Sequence, residues 1–337
     1  MTAIPGYRLL TLGLTAVLTA GFLFAPLQGK KEETPVEAFS AGPGFEAMHY
    51  SDSYAVYQWA LCNTGILKLV PNAKNLPDNT DTDGSSAGPA WESGAALTSV
   101  PGIDLNIEAA WKKYDARPEK RQVVVALIDT GVDYTHPELA DAVWINSDEI
   151  AGDGIDNDGN GYVDDVYGWN FYDNNNHVFT GSDDRHGTHS AGTIAAARDG
   201  IGTVGICDSD YVKIMVIKTL GTSAGVGTAS DVIKAIEYAQ ANGAVICNLS
   251  FGTAKYSEEL YQTMKNSGML FIVAAGNGDE SGRGYDIDGE PVYPASFDLD
   301  NIISVANLQF DGNLDKASNF GVKSVDLAAP GNYILST

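Results

Sequence analysis

The 337-residue chain carries 44 acidic against 20 basic side chains, a formal net charge of -24, and 44% hydrophobic residues. That apolar share is enough for one large α/β core, while the negative field opposes phosphate backbones and anionic headgroups, excluding nucleic-acid and acidic-membrane binding. Cys62, Cys207 and Cys247 are odd in number and lack Cys-x-x-Cys spacing, which argues against a disulfide framework or thiolate metal site and predicts buried free thiols.

Residues 9–27 carry no charge, follow Arg8 and precede Lys30 and Lys31, the pattern of an export signal or a single membrane anchor. Residues 1–29 are read accordingly, 30–53 as a linker, and the protein as exported, extracellular or held at the cell surface. Membrane contact is expected only through this segment. An arm follows at 54–64, and a stretch rich in Asn, Asp, Gly and Ser predicts a polar surface insertion at about 66–100. From 121 onward, apolar runs at 123–128, 212–217, 244–249, 270–275 and 302–306 have the length and β-branched content of strands buried on both faces. Helical patterns occupy 230–242, closed by Gly243, and 257–266, closed by Gly268. The alternation predicts an α/β fold, a doubly wound parallel sheet with helices on both faces. Ligands of such sheets bind beyond the carboxyl ends of the strands, where Asp129, Ser250 and Asn277 follow their apolar runs.

Asp129 is held by a rigid run while Gly131 lets the chain turn away. His186 opens a small-residue helix expected to run through 194–197, and a helix N-terminus disfavours imidazolium, which keeps the ring able to accept a proton. A zinc reading of His186 with His189 lacks a third ligand, leaving His189 a structural hydrogen-bonding role. Gly221-Thr222-Ser223-Ala224-Gly225 matches a nucleophile elbow, but that chemistry needs a histidine later in the chain and none follows His189. In the acidic segment, Asp156, Asp158, Asn160, Tyr162 (through its carbonyl) and Asp164 are spaced like ligands of an EF-hand loop, with Tyr167 where the bidentate Glu would stand. Calcium in a structural role is the expectation there.

The segments Ile128-Asp129-Thr130-Gly131, His186-Gly187-Thr188-His189-Ser190-Ala191-Gly192-Thr193 and Ala274-Ala275-Gly276-Asn277 resemble the aspartate, histidine and oxyanion-hole motifs of the subtilisin-like serine proteases, the subtilases. The resemblance runs from the arm to Thr337, so 54–337 is read as an incomplete peptidase domain. It implies that Asp129 orients His186, that His186 deprotonates a serine, and that Asn277 donates to the oxyanion. It also implies a peptide cleft between Gly225-Val226-Gly227 and Ser250-Phe251-Gly252, with Phe251 where the family usually has leucine. The family's nucleophile follows a stretch like 327–337, so the serine is expected beyond Thr337 and the 337 residues are expected to be inactive. The partner implied is a peptide or protein substrate, no cofactor is needed for catalysis, and a monomer is expected. The alternative reading is a non-catalytic pseudoprotease or a calcium-stabilised peptide-binding module.

Overall fold

The computed structural model describes residues 52, 54–63, 65–67, 97–221 and 225–337. The expected signal or anchor, the linker apart from Asp52, most of the polar stretch and Ser223 lie outside them. Among the described residues no helix is long and apolar enough to cross a membrane. Strands β1 (Ile66–Leu67) and β2 (Leu97–Thr98) pair antiparallel at the two edges of the polar stretch.

The main sheet contains β3 (Val123–Asp129), β4 (Gly168–Asn170), β5 (Val212–Lys218), β6 (Ile246–Leu249), β7 (Leu270–Ala274), β8 (Ile302–Leu308) and β9 (Leu327–Pro330). Their order is β4-β5-β3-β6-β7-β8-β9, and every neighbouring pair is parallel. The five apolar runs supply β3 and β5 to β8, whereas β4 and β9 are too short and mixed to register as runs. Helices α1 (Ile107–Asp115) and α2 (Arg185–Ala195) share a core with Val125, Leu127, Ile214, Val216 and Ile246. Helices α3 (Ala229–Ala241) and α4 (Glu258–Asn266) pack with Ala126, Ile128, Met215, Ile217, Leu249 and Phe271 on the other face. Alternation along β3 therefore divides one apolar run between two cores, as a period of two requires.

Local signals fix the helix limits. The Thr228 and Ser257 side chains accept from the amides of Asp231 and Leu260, capping α3 and α4. Gly243 follows α3 at φ 83. Helix α2 stops at Ala195, short of the expected 194–197, because Ala196 is already extended at ψ 145. The arm is pinned from both sides: Gln58 exchanges hydrogen bonds with the Val204 backbone at 3.0 and 2.7 Å, and Trp59 Nε1 donates to the Asn332 carbonyl at 2.8 Å.

Two positions carry unusual cost. Gly168 lies at φ 127, and a Cβ there would stand 1.8 Å from the Val216 carbonyl oxygen on the neighbouring strand. Gly168→Ala must strain the backbone or push β4 off β5, so a loss of about 3 kcal/mol or more is expected in denaturant unfolding. Glu138 is buried with Oε2 lacking a hydrogen-bond partner. Burial, then Asp199 and Asp52, push its carboxyl up to about 7. Folding thus favours the protonated acid: the folded state is most stable below the unfolded pKa and loses stability as pH rises through about 7. Melts in chelator from pH 5 to 8 should show a decline in Tm that Glu138→Gln reduces.

Candidate active site

The parallel sheet delivers Asp129 to its carboxyl edge as the last residue of β3, with 1% of its surface exposed. The amide of Thr130 donates to Asp129 Oδ1 at 2.7 Å. His186 is the second residue of α2, and its Nδ1 lies 2.7 Å from Oδ1 and 2.9 Å from Oδ2 of Asp129. Because an ionised carboxylate only accepts, Nδ1 must carry the proton, and in the neutral ring Nε2 is then the acceptor. The imidazole is half exposed while its carboxylate is sealed from water.

Glycines allow this approach. A Cβ on Gly187 would lie 2.1 Å from the Gly131 carbonyl, and one on Gly131, at φ 114, would lie 2.5 Å from the Val178 carbonyl. With both absent, the start of α2 closes on the exit of β3, and Gly187 N donates to Thr130 Oγ1 at 3.1 Å. Thr188 Oγ1 adds a bridge, accepting from Asp133 N at 2.9 Å and donating to the Asp184 carbonyl at 2.9 Å. His189 makes a structural contact, its Nε2 lying 3.0 Å from the Ile334 carbonyl.

His186, Ser250 and Asn277 line one cavity of about 450 Å³. Its floor is apolar, with Ile246, Leu270, Ile272, Ile303, Val305 and Leu327 facing it from β6 to β9. Asn277 is exposed after β7 and Gly276, where Asn319 braces the turn by donating to the Ala275 carbonyl at 3.0 Å. Ser250 Oγ accepts from Asn248 Nδ2 at 2.8 Å. Gly225, Val226, Gly227, Phe251 and Gly252 are not among the lining residues. Val226 and Gly221 exchange two 3.0 Å backbone hydrogen bonds, and a Cβ on Gly252 would meet Val292 Cγ1 at 2.8 Å. Sequence reasoning passed over Lys218 and Asp184, a buried ion pair at 2.5 Å beside this site, because neither residue belongs to a recognisable motif.

The acidic segment departs from the EF-hand reading. Asp164 adopts φ 55 and turns its carboxylate back onto the amides of Gly152, Asp153 and Gly154. Asp156 is taken up by the amides of Asn160 and Gly161, the latter chiefly holding its carboxyl below the usual range. Asn160 donates to Asp158 and Asp165, and the Tyr162 ring packs among Trp169, Phe171 and Tyr238. The carboxylates that converge, within 4.8 Å of one another, are Glu149, Asp158 and Asp165, so only Asp158 belongs to both sets. Asp165 is fully buried, and burial raises its carboxyl against hydrogen bonds from Tyr238, Asn160 and Asn146.

Comparison with known proteins gives this geometry its family. The model described as "Subtilase family" (Peptidase S8) matches residues 120–337. "Subtilisin-like protease 1" of Plasmodium falciparum (isolate 3D7) is 35% identical over 231 residues, covering 63% of this chain and 33% of the relative. The "Major intracellular serine protease" of Bacillus subtilis (strain 168) is 32% identical over 220 residues, covering 64% and 60%. The solved structure of the psychrophilic subtilisin-like protease Apa1 from Pseudoalteromonas sp. AS-11 is 28% identical, covers 62% of this chain and 41% of that one, and has a TM-score of 0.44. The chain spans about a third of the length of the Plasmodium relative. With more than half of its residues inside the family match, the chain belongs to the subtilases, the subtilisin-like serine proteases.

Proposed function

We propose that this protein is an exported serine endopeptidase that cleaves peptide bonds through an Asp-His-Ser triad, with the serine supplied by sequence that follows Thr337. The observation that carries the reading is the sealed Asp129 carboxylate at 2.7 Å from His186 Nδ1, beside a cavity that His186 shares with Asn277. The family's Gly-Thr-Ser-Met-Ala segment occurs nowhere in the 337 residues. In this mechanism His186 Nε2 takes the proton from the serine hydroxyl as oxygen attacks the scissile carbonyl. Asp129 stabilises the imidazolium that forms. The Asn277 amide donates to the oxyanion without adding a charge that would hold the substrate's ground state. The imidazolium then protonates the leaving amine, and water hydrolyses the acyl-enzyme by the same route.

The substrate is a peptide or protein, bound between Gly225-Val226-Gly227 and Ser250-Phe251-Gly252, and Gly225 has open space where a side chain would stand. Export rests on the uncharged segment at 9–27. The test is a fluorophosphonate probe: residues 1–337 alone should remain unlabelled, and the chain extended by its own downstream coding sequence should label on one serine. Labelling of 1–337 would overturn this assignment of the nucleophile. In the extended enzyme, Asn277→Ala should lower kcat by about 10²–10³ with little change in KM, the scale of losing one oxyanion donor.

A structural calcium ion belongs to the same reading. Three hard carboxylates within 4.8 Å, two of them buried, suit calcium's preference for oxygen and need a counter-charge. Glu149, Asp158 and Asp165 would hold it, fastening the acidic loop to α3 through the hydrogen bond from Tyr238 to Asp165 at 2.5 Å. Calcium at a hundred times its Kd should stabilise the fold by about 2.7 kcal/mol, read as a raised Tm against chelator. Glu149→Gln should remove that increment, and an identical wild-type Tm with and without calcium would remove the proposal.

A further inference from the structure

Lys218 ends β5 directly opposite Asp129 in the β3–β5 register, so their side chains leave the same face of the sheet. An ammonium beside a buried carboxylate at that spacing is a natural ion pair. The structure does not form it. Lys218, 2% exposed, donates to Asp184 Oδ1 at 2.5 Å and to the Thr130 carbonyl oxygen. Asp184, fully buried immediately before α2, also accepts from the amide and hydroxyl of Thr180. Asp129 is left to the Thr130 amide and the His186 imidazole.

We propose that Asp184 is a positioning residue: by claiming the Lys218 ammonium it reserves the Asp129 carboxylate for His186. Two acids and two cationic or protonatable partners meet at one sheet edge, and their pairing decides whether the imidazole is oriented. An unclaimed buried ammonium pays a large desolvation cost and turns to the carboxylate that leaves the same face of the sheet opposite it, Asp129. The Lys218 bond to Thr130 helps keep the ammonium on the Asp184 side. The inference rests on the reading of Asp129 and His186 as the catalytic pair, but its test needs neither serine nor substrate.

The test is proton NMR of residues 1–337 with labelled histidine, reading the strongly deshielded Nδ1 proton that His186 shows when protonated against Asp129. In Asp184→Asn this resonance should be lost or move far upfield, because Lys218 now competes for Asp129. In Asp184→Asn combined with Lys218→Met it should return, since the competitor is gone. Lys218→Met alone should keep the resonance while lowering Tm through an unpaired Asp184. A merely structural pair gives no such rescue. Persistence of the resonance in Asp184→Asn, or its absence from the folded double variant, overturns the proposal. Should Asp184→Asn fail to fold, absence of the resonance from the folded double variant still overturns the proposal.

Discussion

A carboxylate sealed beneath a sheet edge must be compensated, and at Asp129 that compensation organises the surrounding structure. Burial at 1% exposure is tolerable only because the Thr130 amide and the His186 imidazole both donate to it. Bringing an imidazole so close requires the first turn of α2 to touch the end of β3, which in turn requires glycine at 131 and 187. A second contact requires a small residue further along α2: a Cβ on Gly192 would stand 2.0 Å from Thr337 Oγ1. Helix α2 is thus packed closely on two sides, against the end of β3 and against the segment after β9.

The strands with long β-branched runs were legible because β3 and β5 to β8 are buried on both faces and need apolar residues throughout. β4 was not legible: Gly168-Trp169-Asn170 is three residues long, and its place is set by a glycine backbone against Val216. α1 was missed for a related reason. It buries little beyond Ile107 and Ala110 and starts after Asn106 at φ 45, without a side-chain cap to announce it. Of the site, Asp129, His186 and Asn277 stood out because motif and strand end coincide. Lys218 and Asp184 did not, since pairing across 34 residues depends on a register that only the assembled sheet defines.

In the acidic loop the carboxylates that converge are not all those that the spacing picks out, Asp158 alone being common to both. A ligand pattern presumes that every acid faces inward, yet the left-handed turn at Asp164 spends that carboxylate on three backbone amides. Glu149 lies outside the pattern altogether and reaches the cluster from the preceding turn, where it accepts from Asn157, Asp158 and Asp164. Glu149 and Asp164 each accept from three loop amides, so what separates them is where the backbone carries each carboxylate: Glu149 converges with Asp158 and Asp165.

The arm has a kinetic consequence. The Gln58 and Trp59 side chains find their partners 146 and 273 residues away, at Val204 and Asn332. Contacts so distant in sequence carry a high closure entropy and are gained late in folding. During synthesis from the N-terminus, Trp59 is made early but cannot bury its indole N–H until Asn332 has emerged. Until then the arm of a nascent chain has its Trp59 anchor unmade, which leaves apolar surface open to proteases and to other chains.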